Sequence, residues 1–425
     1  MPLFMILAAG KNSRFWPLRG KSLLSFCGRT LIERQIDTLT ALGVTEGTVV
    51  ANAENEAEVR AATARYGDRV SVTVPEAALG MGHAVLAGAD ALGERLGDRP
   101  LLVTQSHDVV EPELYARVLA AGEDAGVVVA QEVGEYFPGG YLALNGDRIT
   151  AVVEKPPLGS EPSRYVTIVI HLHPEPRRLL EALRGVYESE NTRDDHYERA
   201  LTVLCGEVRY RMAPYDGPWH PIKYPWQVLG AMRYFLDRLE LPPGPQPQGV
   251  RGTVVLEPGV VVMPGAFVNG PAYIGAGSVI GNETLVRGSM IGRDCEVGFG
   301  CEVARSYIGD GCTLHHNYVG DSVLEGRVGL GFGTVTGNWP FYPPPVRTTV
   351  GGERVRTEME RLGAIVGAGS RTGIGVLLNP GVKIGRGSYI GPGVVLARDV
   401  GERQMLLVKQ ELIERDNPFV DPDQF

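Results

Sequence analysis

Leu7–Lys21, LAAGKNSRFWPLRGK, is the stretch on which the reading of this chain turns. A short apolar run, Leu3 to Ile6, precedes it and reads as a buried parallel strand; a helical pattern from Leu31 to Leu42 follows. The stretch between them is therefore expected to be a strand-to-helix loop of the kind that binds phosphate. Small residues let the backbone approach an anion, and free N–H groups at a following helix end meet its charge. Arg14 and Lys21, seven residues apart, are spaced to reach neighbouring phosphoryl groups. Taken alone, a glycine turn with solvated charges would look the same.

Outward from the loop, the first 240 residues alternate short apolar runs with helical patterns. Thr48 to Ala51, Val70 to Val74, Leu101 to Thr104, Gly126 to Ala130, Ala151 to Val153 and Tyr165 to His171 read as strands. Glu54 to Tyr66, Ala84 to Leu92 and Glu111 to Ala121 read as helices. Such alternation predicts an α/β domain with a mostly parallel, Rossmann-like sheet, whose ligands bind beyond the carboxyl ends of the strands. Leu241 to Gly249, LPPGPQPQG, reads as a semi-rigid proline-rich linker.

Beyond the linker the sequence becomes periodic. Leu256, Val262, Val268, Ile274, Ile280 and Val286 are spaced by six, and after a five-residue step the series resumes at Ile291, Val297 and Val303. It returns at Val366, Thr372, Leu378, Ile384, Ile390 and Leu396. One inward aliphatic per hexad is the pattern of a β-solenoid with short flat sides. The expected division is a domain over 1–240, a linker over 241–250, a β-helix over 251–402 interrupted by an arm at about 337–362, and a tail over 403–425.

The 425 residues carry a formal net charge of -9, which argues against nucleic-acid or anionic-membrane partners, so local cations must handle any phosphate. No run approaches membrane-spanning length, and a cytoplasmic location is expected. The five cysteines, Cys27, Cys205, Cys295, Cys301 and Cys312, lack CxxC spacing and read as small core residues.

The loop wording LAAGxxSRFxPLxxK resembles the signature of the sugar-1-phosphate nucleotidyltransferases, the NDP-sugar pyrophosphorylases. The resemblance implies transfer of a nucleotidyl group from an NTP to a sugar-1-phosphate, with Leu7, Ala8, Ala9 and Gly10 around the triphosphate and Arg14 and Lys21 as catalytic cations. Asn12 stands where most members have Gly, and Asn tolerates a positive φ better than other side chains. LGMGHAV, Leu79 to Val85, resembles the family's base-contacting segment, which assigns Gly80 and Gly82 to the nucleotide; His83 reads either as a ligand contact or as a helix-start histidine bonded to backbone. Asp108 of QSHDVV matches the aspartate that holds Mg²⁺. Gly140 and the Glu154 and Lys155 of VVEKP match residues that bind the sugar and its phosphate. The second metal aspartate falls on Pro221 in GPWHPIKYPWQVL, where His220 or Lys223 could compensate, the lysine by supplying charge without metal, while a histidine is a poor Mg²⁺ ligand.

The hexads resemble the left-handed β-helix of the acyltransferase class, which commonly trimerises. LHHNYVGDS and GLGFGTVTGNW resemble the acyl-transfer segment of bifunctional uridyltransferase/acetyltransferases and their archaeal relatives, implying His315 when anchored on Tyr318, or the adjacent His316, as general base, Tyr318 and Asn338 beside it, and acetyl-CoA as a second substrate. The expected lysine falls in the run Pro343 to Pro345. A nucleotide-sugar-binding regulatory protein without catalysis is the alternative reading, since Asn12, His107 and Pro221 all depart from the family.

Overall fold

The computed structural model describes residues 1–10, 12–122, 125–189 and 194–419. Its first part is built on a nine-stranded sheet in the order Val70–Thr73, Gly47–Val50, Leu3–Leu7, Leu101–Gln105, Tyr165–His173, Gly126–Glu132, Tyr210–Pro214, Arg148–Glu154, Gly140–Asn145. The first four strands are parallel. Tyr165–His173 runs antiparallel to both neighbours, and Gly140–Asn145 and Arg148–Glu154 form a hairpin. The sheet is thus mixed rather than parallel throughout. The hairpin needs only a tight turn, whereas parallel neighbours need crossovers.

Strand Leu3–Leu7 shows how the layers form. Leu3, Met5 and Leu7 pack with helices Met81–Leu92, Pro176–Glu188 and His196–Glu207, while Phe4 and Ile6 face Leu31–Ala41, Glu56–Thr63 and Glu113–Ala121. Helix Leu31–Ala41 starts where Thr30 and Glu33 close a reciprocal capping box. Its start fixes the far end of the phosphate-loop segment.

From Val250 the chain coils through three parallel sheets of eight, seven and eight strands, consistent with a left-handed β-helix. Val268, Ile274, Ile280, Val286, Ile291, Val297 and Val303 point inward, and Ile308, Leu314, Val319, Leu324 and Leu330 continue the core through the region where the hexads lapse. The arm contains a hairpin, Arg347–Val350 with Glu353–Arg356. It folds back onto the coil: Thr348 Oγ1 donates to Gly381 O at 2.7 Å, and Lys383 Nζ donates to Thr349 O. All five cysteines are free, and all but Cys27 are fully buried.

The two parts share one apolar cluster. Tyr273, Met290, Tyr307, Val323 and Ile365 are register neighbours on the outer face of one sheet, buried against Phe15, Leu18, Phe26, Trp226 and Leu236. Burial of side chains of this size stabilises by roughly 1.5–3 kcal/mol each. One face of the β-helix is therefore covered by the first domain.

Candidate active site

The phosphate loop leaves the end of Leu3–Leu7 and is pinned from the side: Asn55 Nδ2 donates to Ala8 O at 3.0 Å and Asn52 Nδ2 to Gly10 O at 3.4 Å. Asn12 adopts φ +53, the left-handed conformation that Gly would otherwise supply, and Phe15 N then bonds Asn12 O at 2.8 Å. Gly10 is exposed, and a Cβ there would meet only Asn12 Oδ1 at 3.9 Å. Its backbone is open to a ligand.

Asp108 lies on a short ribbon in which Asp108–Val109 pairs antiparallel with His220–Pro221, Pro221 standing directly opposite Asp108. The position where a second carboxylate was expected is thus adjacent in space, and it carries no ligand atom. Trp219 Nε1 donates to Asp108 Oδ1 at 2.9 Å, a contact the sequence reading missed although Trp219 belongs to the quoted segment. Burial raises the Asp108 carboxyl above its usual range, against the pull of Trp219, Lys223 and Lys21. His107 beside it is held neutral, pushed down to about 3 by burial and by Lys21 and Lys223.

Two lysines face this carboxylate, and Arg14 lies beside them. Lys21 is lowered to about 8, chiefly by burial and then by Arg14, with Asp108 opposing. Lys223 is also lowered to about 8, again by burial first, with Asp108 the largest opposing charge. Lys223 Nζ donates to Pro138 O at 3.1 Å and lies 3.6 Å from the Phe137 ring centroid, so it spans from the Asp108 ribbon to the turn before Gly140. Among the described residues none of Arg14, Lys21 and Lys223 has an ion-pair partner within 4.0 Å. Cations gathered without counter-charges are a receptor for a polyanion.

Across the rim, Glu154 pairs in register with Gly140, whose added Cβ would lie 3.5 Å from Glu154 Oε2. Lys155 bonds Glu154 through its ammonium and takes φ +46, rare for a non-glycine residue outside functional sites. Helix His196–Glu207, unread in the sequence, brings Glu198 to the same place: burial and then Glu154 raise its carboxyl to about 8. The 3.6-residue pattern of HYERALTVL was the available signal.

The second glycine turn divides. Gly80 caps helix Met81–Leu92 at φ +93 and faces Asp194. Gly82, expected at the nucleotide, also packs closely, since a Cβ there would meet Leu183 Cδ2 at 2.9 Å and Tyr187 Oη at 3.1 Å. His83 is not satisfied by backbone through Nδ1, which has no hydrogen-bond partner among the described residues, and its ring meets Tyr187 edge-on.

Asp108 can hold a divalent ion as a single carboxylate. No group of three or more His, Cys, Asp or Glu side chains suited to a metal occurs among the described residues. An ion there would take one ligand from Asp108 and the rest from a bound triphosphate and water, the same triphosphate balancing the neighbouring lysines.

In the β-helix, Asn338 Nδ2 donates to Tyr318 Oη at 3.1 Å and to Asp321 Oδ2 at 2.5 Å, and Arg305 grips Asp321 with bonds of 2.7 and 2.6 Å. His315 is exposed at a corner where the coils above and below carry Gly298 and Gly331. His316 is spent on stacking between Phe299 and Phe332, at φ +55. That leaves His315 as the reactive candidate of the two. No contact joins it to Tyr318 among the described residues.

A mixed α/β sheet with Arg14, Lys21 and Lys223 on its rim, joined to a hexapeptide β-helix, is the architecture of the nucleotidyltransferase class that the family match identifies. Residues 4–240 match the MobA-like NTP transferase domain, and the chain belongs to that family. Residues 363–398 match the bacterial transferase hexapeptide, six repeats. The chain is 28% identical over 418 residues to a bifunctional sugar-1-phosphate nucleotidylyltransferase/acetyltransferase of Sulfurisphaera tokodaii, covering 93% of this chain and 97% of the relative. It is 29% identical over 429 residues to the bifunctional protein GlmU of Methanococcus maripaludis, covering 96% and 98%. Among the described residues no helix is long and apolar enough to cross a membrane.

Proposed function

We propose that the chain joins an NTP to a sugar-1-phosphate, or to a sugar-like cyclitol phosphate, giving an NDP-sugar and pyrophosphate. The observation that carries this reading is the cluster of Arg14, Lys21 and Lys223 around a single buried Asp108, with the Glu154–Lys155 pair across the rim. The triphosphate lies along Leu7 to Gly10, and Gly80 borders the base. The sugar phosphate, held by Lys155 with its hydroxyls on Glu154 and Gly140, attacks the α-phosphorus in line. The sugar phosphate is already ionised, so positioning and charge neutralisation set the rate. Arg14 and Lys21 stabilise the departing pyrophosphate, and Lys223 supplies charge where Pro221 supplies none. Mg²⁺ at Asp108, when bound, neutralises phosphate charge.

The two expected units, 1–240 and 251–402, then divide the work. A second reading concerns the β-helix: acetyl transfer to a sugar amine, with His315 as base and Tyr318 and Asn338 orienting the acceptor. The bonded Tyr318–Asn338 pair favours it, and so does the likeness along nearly the whole chain to a sugar-1-phosphate nucleotidylyltransferase/acetyltransferase. We infer assembly as a trimer through the two sheets that the first domain leaves uncovered, where Val261, Phe267, Leu377, Tyr389, Val395 and Met405 are exposed.

Pyrophosphate release, screened over all NTPs against hexose, hexosamine and cyclitol 1-phosphates with Mg²⁺, tests the first reading. One productive pair is expected. Binding of an NDP-sugar with no release from any pair would replace it with a regulatory role. Release of CoA from acetyl-CoA, lost in His315→Ala, tests the second.

A further inference from the structure

The far side of the phosphate loop rests on the β-helix. Arg19 N–H donates to Glu325 Oε1 at 2.6 Å, while Glu325 Oε2 accepts from Ala368 N–H at 2.8 Å and pairs with Arg386 at 3.4 Å. The Arg19 guanidinium reaches Glu402 at 3.0 Å. Pro17 O lies so close to the coil that a Cβ on Gly367 would sit 3.0 Å from it. The Trp16 ring covers Lys383, whose ammonium is 4.9 Å from the ring centroid and is held by Asp399.

These contacts fall between Arg14 and Lys21. The two cations thus sit at either end of a six-residue span, 15–20, of which 16–19 touches a different domain. Inside the first domain, among the described residues, the side chains of Arg14 and Lys21 have no hydrogen-bond or ion-pair partner that would fix them. Ser106 Oγ donates to Ser22 Oγ at 2.5 Å and ties the far end of the span to the Asp108 segment, Phe15 and Leu18 are buried in the shared apolar cluster, and the coil braces the middle. We propose that Glu325 is a positioning residue for nucleotidyl transfer: through the Arg19 backbone it sets the placement of the phosphate loop, so that the β-helix is a structural part of the nucleotidyltransferase site.

The chemistry suits the task. A carboxylate accepting two backbone N–H groups and one guanidinium forms short, charge-assisted bonds that fix direction as well as distance. Glu325 is also well shielded, with a side chain 11% exposed, so solvent does not compete strongly for these bonds. A shift of about 1 Å in catalytic groups can cost two orders of magnitude in rate. The contact between Arg19 and Glu402 is more exposed, at 47% and 28%, and contributes less.

The proposal rests on the sugar-1-phosphate reading for its kinetic arm alone. In the full-length chain, Glu325→Ala is expected to lower kcat/KM for the NTP about tenfold or more, to leave the KM for the sugar phosphate within twofold, and to speed amide exchange at Arg19 at least tenfold. A KM and kcat within twofold of the parent for both substrates, with unchanged exchange at Arg19, overturns it. If the parent releases no pyrophosphate with any substrate pair, the function reading fails by itself. Exchange at Arg19 and NTP binding by calorimetry then still decide the brace: weaker binding with faster exchange in Glu325→Ala supports it, and parental values overturn it. Should Glu325→Ala not fold, Glu325→Gln carries the test, since it keeps the shape but removes the charge that strengthens the bond from Arg19 N–H. It is expected to raise the NTP KM two- to threefold with faster exchange at Arg19; parental values of both overturn the proposal.

Discussion

The rim of the first domain and the corner of the β-helix both gather polar side chains, but they are electrostatically opposite. On the rim, Arg14, Lys21 and Lys223 have no ion-pair partner among the described residues, and burial has pulled both lysines to about 8. At the corner, Arg305 is doubly bonded to Asp321, which also accepts from Asn338, which in turn donates to Tyr318. The first arrangement is costly to maintain unless an anion arrives. The second satisfies itself. That difference assigns the nucleotide chemistry to the rim and makes the corner cluster first of all a device that locks one coil to the next.

The largest effects should come from breaking the rim. Arg14→Ala and Lys21→Ala are each expected to lower kcat by about 10²–10³, the range seen for removing one preorganised charge-stabilising donor, with a melting temperature no lower than the parent's. A parental rate in either variant would sink the assignment of these cations. Lys223→Met should cost about ten- to a hundredfold in kcat/KM for the NTP, since its ammonium reaches toward Asp108 and the 138–140 turn together. A loss confined to the sugar-phosphate KM would move Lys223 to the acceptor side.

What could be read from the sequence follows the same divide. The phosphate loop was legible because its demands are local: small residues at 8–10, a left-handed residue at 12 and cations at 14 and 21. Most of the β-helix was legible because one aliphatic per hexad is a strong period. It lapsed between Val303 and Val366, where Ile308, Val319 and Leu324 follow five-residue steps and tighter corners replace part of each turn. The core there is continuous, but the period is not. Glu198, Trp219 and Glu325 were illegible for another reason: each acts on a partner more than 40 residues away, brought near by packing that no local pattern encodes. Gly82 shows that a motif glycine can also serve helix packing, a demand no local pattern reveals.

A smaller effect should come from the corner. Asp321→Asn keeps a residue that tolerates φ +47 but removes the charge that Arg305 and Asn338 share. It should lower stability by about 2 kcal/mol, the range for breaking a shielded charged hydrogen bond. Nucleotidyl transfer should change less than twofold. Denaturant melts and pyrophosphate assays on the same preparation check both halves, and a large kinetic loss would show the corner cluster to be coupled to the rim.

The mildest probe is pH, and it separates the two regions by sign. A lysine whose folded value lies near 8, below its ordinary 10.5, is charged in the folded enzyme only below about pH 8. The charged form is the one that binds phosphate, so kcat/KM for the NTP should hold steady to about pH 7 and fall through pH 8–9, since that ratio reports the free enzyme. Stability should move the other way. A depressed lysine favours the neutral folded form, so the penalty for keeping Lys21 and Lys223 charged is full below about pH 8 and fades by about pH 10.5. Lys223→Met is therefore expected to stabilise the chain at pH 7 and to give little gain near pH 10.5. Arg305 is held by Asp321 above its already high ordinary value, so the corner should show neither trend. A kcat/KM profile flat to pH 10, or a Lys223→Met variant less stable than the parent at pH 7, would show that the rim cations are compensated after all, and the contrast between the two regions would fall with it.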